Sequence, residues 1–316
     1  MPHVVRKRRV LILVIVLASW ALAFVGQPSA SLAEPDGTSS DHSTDSLGLE
    51  RAHAHNDYEH DRPLYDALDH GFKSVEADIW LVDGELVVAH DPEDVPQAAE
   101  QGRTLKALYL DPLRERIKEN SGSVYEGDLD YFTLLIDIKP DAVPTYLALH
   151  EELRRYQAML TRFRPSGVKD GAVTAIVSGN RPRELMQQQT VRYAAYDGRM
   201  SDLGVATDQT FVPLISDNWT RNFTWQGVGP MPEAEREKLR GIVETAHENG
   251  QRVRFWATPE TPGAPEAVWR ELLAAEVDYI NTDYLQALQT FLLENDPKPT
   301  EPYISWEEPK RVGTRG

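Results

Sequence analysis

Residues 52–91 read AHAHNDYEHDRPLYDALDHGFKSVEADIWLVDGELVVAHD. Two histidine clusters, His53/His55 and His90, bracket the acidic pair Glu76-x-Asp78. Side chains alternate along a strand with period 2, so Glu76 and Asp78 are expected on one side of it. Asp83-Gly84 stands between the apolar runs Val75–Val82 and Glu85–Ala89. Asp-Gly supplies the two positive φ values of a tight hairpin, so the second run should fold back on the first. That return carries His90 toward the end of the strand bearing the acids. Two carboxylates on one side, flanked by histidines, suggest a metal site served by an acid/base pair.

Outward from this stretch, strand-like and helix-like segments alternate. Strands are expected at Glu50–His55, Ser74–Val82, Phe132–Lys139, Ala172–Ser178, Val191–Tyr196, Val212–Ser216, Arg252–Ala257 and Val277–Asn281. Helices are expected at Pro63–His70, Leu105–Glu119, Val143–Tyr156, Pro182–Gln189, Pro232–Asn249 and Ala264–Ala275, with Gly71 and Gly250 as C-terminal stops. Eight strands alternating with helices argue for an α/β fold, a single (β/α)8 TIM barrel. An open doubly wound sheet is the alternative, but no Gly-x-Gly-x-x-Gly follows the first strand. The expected domain spans residues 49–294, close to the roughly 250 residues typical of such a barrel.

The flanks differ in composition. Arg6–Arg9 is basic, Val10–Val25 is apolar except at Ser19, and Ser31-Leu32-Ala33 offers a small-residue cleavage site. Residues 1–33 therefore read as a signal peptide, the apolar run being short of the about 20 residues a membrane span needs. Residues 34–48 are a polar linker, and residues 295–316 a proline-rich, charged tail. The expected location is exported: secreted, periplasmic or cell-surface. The absence of cysteine excludes a disulfide framework and a lipoprotein anchor. Net charge is −17, and becomes −21 once residues 1–33, with four basic residues and no acid, are set aside. Such a surface does not suit nucleic acid or an anionic bilayer. The chain is expected to be a monomer with no stable membrane anchor after signal cleavage.

In a TIM barrel the active site lies at the C-terminal ends of the strands. His53, His55 and Asn56 end strand one, Glu76 and Asp78 lie on strand two with His90 closing its hairpin, and Asp137 and Lys139 lie on strand three. Asn56, Glu76, Asp78 and Asp137 make an all-oxygen cage suited to one divalent cation, Ca²⁺ or Mg²⁺. Lys139 could face a phosphate, or simply form a salt bridge with Asp137. His60, His70, His150 and His247 read as surface groups. Trp219, Phe223 and Trp225, after strand six, offer either a substrate wall or a small satellite core, the latter being favoured.

These motifs resemble the superfamily of TIM-barrel enzymes containing phosphatidylinositol-specific phospholipase C and glycerophosphodiester phosphodiesterase. His55-Asn56-Asp57-Tyr58 resembles the His-Asn-x-Tyr ending strand one in eukaryotic phospholipases C, where the histidine is catalytic and the asparagine binds calcium. Glu76-Ala77-Asp78-Ile79-Trp80 resembles their metal-binding Glu-x-Asp-x-Trp. His90-Asp91 resembles the His-Asp of glycerophosphodiesterases, where the histidine is the second catalytic one. Asp137-Ile138-Lys139 resembles the Asp-x-Lys of sphingomyelinase D-like members. Trp256 and Thr282-Asp283 look like late-strand signatures of the glycerophosphodiesterases, and Trp256 joins Lys139 as an expected substrate contact. Two departures stand out. Glycerophosphodiesterases carry His-Arg-Gly on strand one, so the phosphate-binding arginine is missing here. His53 also competes with His55 for the catalytic role, and the spacing from His55 to Glu76, similar to that of sphingomyelinase D, favours His55.

The resemblance implies an exported metal-dependent phosphoric diester hydrolase acting on glycerophosphodiesters or phospholipid head groups. One histidine, His55 or His53, would take a proton as base while His90 protonates the leaving alkoxide. A phosphatidylinositol-specific phospholipase C-type lyase is the near alternative. A metal-dependent amidohydrolase would share His53-x-His55 but needs histidines on later strands, where none is found. A non-catalytic exported binding protein would have lost a histidine or an acid, and all are present.

Overall fold

The computed structural model describes residues 47–128 and 130–304, within one compact unit, Thr44–Gly316. The expected signal peptide, most of the linker and the end of the tail, including Trp306, lie outside the described residues. Eight strands form the barrel: β1 Leu49–Ala54, β2 Phe72–Val82, β3 Phe132–Ile138, β4 Val173–Gly179, β5 Ala194–Gly198, β6 Leu214–Asn218, β7 Arg252–Trp256 and β8 Tyr279–Thr282. Each pairs in parallel with its neighbour, and β1 pairs with both β2 and β8, closing the sheet. The fold is a (β/α)8 TIM barrel.

Alternation along the strands separates two interiors. Outward positions such as Val75, Ala77, Ile79, Leu134, Ile136, Val253 and Phe255 join Leu149, Leu153, Leu239, Val268, Leu272 and Leu288 of the surrounding helices in one large apolar layer. Each aliphatic side chain so buried contributes about 1.5–3 kcal/mol. Inward positions hold only a small apolar plug, Leu135, Ile176, Ala195, Leu214 and Tyr279, joined by Phe163. Above and below that plug the barrel is polar. At its base Thr133 bonds Tyr279 (2.7 Å), whose hydroxyl also accepts from Arg252 (2.8 Å). Near its top lie Glu76, Asp78, Asp137, Asp197 and Arg254.

The helices follow from local pattern. Glu233–Glu248 buries Leu239, Ile242, Val243 and Ala246, a spacing that makes one face. It stops before Gly250, whose φ of +67 only glycine adopts without strain. The expected helix Leu105–Glu119 is divided: a π turn, Lys106–Leu110, precedes the α-helix Asp111–Glu119. Pro112, lacking an N–H, sits where the ladder changes. Among the elements that escape the sequence reading are helix Val95–Glu100, hairpin Arg162–Arg164/Gly167–Lys169, the single-turn helix Trp219–Asn222 and helix Leu285–Asn295. The first two are too short to show a period. The hairpin of β2 forms as read, with φ of +49 at Asp83 and +90 at Gly84, and Val82 opposite Glu85.

The aromatics after β6 are buried as core, but not as a separate satellite: Trp219, Phe223 and Trp225 join the main apolar layer, with Trp219 edge-on to Phe255 at 5.8 Å. The tail docks under the barrel, where Arg51 stacks on Tyr303 and donates to the carbonyls of Lys298 and Glu301. No helix of the described residues is long and apolar enough to cross a membrane.

Candidate active site

Glu76, Asp78 and Asp137 meet at the C-terminal end of β2 and β3. Asp78 and Asp137 are register partners, and ligand atoms of the three acids lie within 4.8 Å of one another. Burying three carboxylates together is unfavourable, so each is partly compensated. Arg254 of β7 donates to Glu76 and, through Nε, to Asn281 (2.9 Å). Burial alone would raise the Glu76 pKa, but the Arg254 charge outweighs it and holds the carboxyl well below its ordinary range. The Lys139 ammonium lies 2.6 Å from Asp78 Oδ2 and 3.4 Å from Asp137 Oδ1. Burial pushes Asp137 up to about 6, against the Lys139 charge and with help from Glu76. Asp78 is raised by burial and by Glu76. Its Oδ1 is buried without a protein partner. This donor set could hold a hard cation.

Gly179 makes room for the cluster. A Cβ there would stand 2.4 Å from Asp137 Oδ1, and its φ is +65. A larger residue would displace the acid.

The histidines separate by depth. His53 is fully buried; its Nδ1 pairs with Ser74 Oγ (2.7 Å) and its Nε2 faces Glu76 at 3.5 Å. Burial, then Arg254, lower its pKa to about 3, so it is neutral. With both nitrogens engaged and no exposed surface, it lies beneath the acid cluster against Glu76. His55, one alternation further up, is a quarter exposed, and its Nδ1 lies 2.8 Å from Asp283 Oδ1. Burial disfavours its charge, but the bond to Asp283 and the charge of Glu76 prevail and its pKa is raised. His90, on the hairpin return, places Nδ1 at 3.1 Å from Asp78 Oδ2. Neither His55 nor His90 has a protein partner at Nε2 among the described residues.

Tyr58 joins these groups. Its hydroxyl lies 2.9 Å from Asn56 Oδ1, 2.6 Å from Asp78 Oδ2 and 2.9 Å from His90 Nδ1. Asn56 reaches this position through a left-handed backbone, φ +46, which asparagine tolerates better than most residues. Trp256, at the end of β7, lies across the mouth with the Arg199 guanidinium 4.8 Å above its ring.

The named residues thus fall into one constellation of His55, Asn56, Glu76, Asp78, His90, Asp137 and Lys139, with Trp256 on the opposite wall and His53 below. Tyr58, Arg254 and Asp283 went unassigned in the sequence. Arg254 precedes Trp256 by two and shares its inward face, the signal that would have found it. The histidines read as surface groups are in fact half-buried. His247 pairs with Asp278 at 2.9 Å, and His150 packs between Tyr146 and Tyr193.

A closed barrel with acids and paired histidines at its strand ends is consistent with a phosphodiesterase fold. Residues 42–197 match the AIM6-like phosphodiesterase domain and residues 252–286 the glycerophosphoryl diester phosphodiesterase family, and the two matches support a glycerophosphodiesterase-like TIM-barrel superfamily. It is similar to altered inheritance of mitochondria protein 6 of Eremothecium gossypii, 29% identical over 289 residues, covering 77% of this chain and 69% of that protein. The protein of the same name from Lachancea thermotolerans is 29% identical, over 75% of this chain and 64% of its own length. A homolog from Arthroderma benhamiae is 28% identical, over 76% of this chain and 82% of its own.

Proposed function

We propose that the protein is a metal-dependent phosphoric diester hydrolase, acting on glycerophosphodiesters or phospholipid head groups by paired histidine acid/base catalysis. The observation that carries this reading is that His55 and His90 each tie Nδ1 to a carboxylate, Asp283 and Asp78, on either side of the acid cluster. A histidine donating from Nδ1 keeps its Nε2 lone pair for a substrate proton.

One divalent cation, Ca²⁺ or Mg²⁺, fits the donor set of Glu76, Asp78 and Asp137 with Asn56 beside it. Three acids face two cations, Lys139 and Arg254, which leaves one negative charge; a divalent ion together with a phosphodiester anion restores neutrality. The unpartnered Asp78 Oδ1 also calls for a donor or an ion. When bound, the ion would neutralise the diester and acidify the attacking hydroxyl. His55, oriented by Asp283, takes the proton of that hydroxyl at Nε2. His90, held by Asp78 and Tyr58, returns a proton to the leaving alkoxide. His53 holds Glu76 in place. Lys139 contacts a phosphate oxygen, and Trp256 closes the far side of the substrate.

A hydroxyl next to the ester oxygen, as in glycerol, can attack phosphorus intramolecularly and avoid the entropy of recruiting water. A five-membered cyclic phosphate then precedes the monoester. The proposed setting is extracytoplasmic, on the basic and apolar pattern of residues 6–25. The monomeric state and the preference for a dispersed diester over an anionic bilayer rest on the chain's acidity.

The test is cleavage of glycerol p-nitrophenyl phosphate, a chromogenic diester that carries the neighbouring hydroxyl, its loss in excess chelator and its recovery with Ca²⁺ or Mg²⁺, followed by phosphorus NMR on a glycerophosphodiester. Full activity in chelator removes the ion from the mechanism. An open monoester alone, with equal turnover of a substrate lacking the neighbouring hydroxyl, makes water the nucleophile.

A further inference from the structure

Two arginines at the end of β4 and β5 have no place in the mechanism above. Arg199 is an inward residue two beyond Asp197, and its guanidinium is fixed from below. It donates to Asp197, to the Gly198 carbonyl (3.0 Å), to Ser216 Oγ (3.2 Å) and to Ser178 Oγ (3.2 Å), and lies on Trp256. Its side chain is nonetheless 23% exposed, so one side of this pinned cation meets the barrel mouth. Arg181 lies two residues beyond Gly179, at the end of the neighbouring strand β4. It donates to the Gly179 carbonyl at 2.8 Å and stacks on Tyr196 at 4.7 Å. It makes no ion pair among the described residues, and its Nε is buried without a partner.

The surrounding carboxylates are already engaged. Asp197 is taken by Arg199, Ser178 and Ser216. Asp202 is taken by Arg183 and the backbone N–H of Arg199, and Asp217 by the N–H groups of Met200 and Asn218. Arg181 therefore has no ion pair of its own among the described residues, Asp197 and Asp202 acting on it only at a distance. Burial, then the charge of Arg199, hold its pKa below the ordinary arginine value, a repulsion that a shared anion would relieve.

We propose that Arg199 and Arg181 form a second anion subsite, taking a phosphate or carboxylate carried on the alcohol portion of the substrate beside the reacting diester. The inference rests on the phosphodiesterase reading and narrows it to diesters with a second acidic group. The placement suits this. The histidines stand at β1 and the β2 hairpin, with Asp283 at the end of β8, the arginines follow β4 and β5, and Asp137 lies between them, paired with Ser178 in the ladder. A diester seated at the histidines extends its alcohol across Asp137 to the guanidinium pair. Planar guanidinium groups bind phosphate and carboxylate through paired hydrogen bonds. A pinned one loses little entropy in doing so.

The experiment has two arms on the full chain. In the first, inorganic phosphate is titrated by calorimetry, in chelator, into wild type, Arg181→Gln and Arg199→Lys. Saturable binding weakened about tenfold or more by Arg181→Gln is expected, the scale of one lost charge-assisted contact. In the second, glycerophosphoglycerol is compared with the same diester bearing a terminal phosphate. Wild type should favour the phosphorylated diester in kcat/KM, chiefly through KM, and both substitutions should pull the ratio toward one. Equal use of the two diesters by wild type overturns the subsite. So does phosphate binding indifferent to both substitutions, and so does an equal fall for both diesters, which places the arginines on the reacting phosphate. If neither diester is cleaved yet phosphate binding still weakens in Arg181→Gln, the phosphodiesterase reading fails and the subsite stands. Arg199→Lys keeps a charge among Asp197, Ser178 and Ser216, and Arg181→Gln leaves that network untouched.

Discussion

Replacing Arg254 by methionine tests how the acid cluster is held. The guanidinium and the Glu76 carboxylate are almost wholly buried, with side-chain exposures of 3% and 9%. Removing one partner of such a pair leaves the other as an uncompensated buried charge, at a cost of about 3–5 kcal/mol. For a domain of this size each kcal/mol lowers the thermal midpoint by about 2–4 °C, so Arg254→Met should lose roughly 10 °C. The loss comes from stranding Glu76, not from vanished packing, because methionine keeps most of the volume. Glu76→Gln combined with Arg254→Met should therefore be more stable than additivity allows, by about 1–3 kcal/mol. The sign with pH follows from the same pair. The folded carboxyl is held below its ordinary value of 4.5, so its contribution is present above about pH 4.5 and lost as pH falls through the folded value. Arg254→Met should flatten that acid limb. Urea titrations of the four proteins in chelator, at pH 7 and pH 4, measure each quantity. Additive single and double losses, within about 0.5 kcal/mol, would refute the account.

His55→Ala and His90→Ala should each lower turnover of a phosphodiester by about a hundredfold or more with folding intact, as loss of an acid or base does. Turnover abolished by His53→Ala but little changed by His55→Ala would reverse the assignment. Tyr58→Phe removes the hydroxyl shared by Asn56, Asp78 and His90, and should cost about 1.5–3 kcal/mol in urea titration and reduce kcat more than it raises KM. Gly179→Ala combines a left-handed backbone costing about 1 kcal/mol with a Cβ driven into Asp137, so stabilisation of the thermal midpoint by Ca²⁺ or Mg²⁺ should be lost. Burial raises Asp57 to about 7 against donors from Leu64 and Tyr109. Its favourable contribution is present below about pH 4 and lost as pH rises through 7; Asp57→Asn should abolish that slope, and a stability–pH profile unchanged by it would show the carboxyl ionised throughout.

What the sequence disclosed was set by whether a signal was local. Glu76-x-Asp78, Asp137-x-Lys139 and the Asp83-Gly84 turn are each contained in a few residues, and period 2 is enough to aim them. The inward set of β7, Arg252, Arg254 and Trp256, follows the same rule but gains meaning only when closure brings it opposite β2. Asp283 was quoted within the Thr282-Asp283 signature, yet nothing near it shows that a histidine 228 residues earlier ends 2.8 Å away. Tyr58 was quoted within a motif, yet its three partners come from a turn, a strand and a hairpin arm. The short helix Val95–Glu100 buries only Ala98 and leaves no periodic trace. The half-buried His247 looked like a surface residue because its partner Asp278 belongs to another element.

The pairing of His55 with Asp283 bears on how the molecule is made. A ribosome delivers the first histidine, the acids and His90 early, and a nascent chain could gather all of them while β8 is still unsynthesised. The carboxylate that orients His55 emerges late, and the residues that lock Arg51 of β1, Asp296 to Glu301, emerge later still. The partner of His55 is thereby among the last parts of the site to be synthesised. A chain cut short before β8 would lack both the strand that closes the sheet between β1 and β7 and the carboxylate that orients His55.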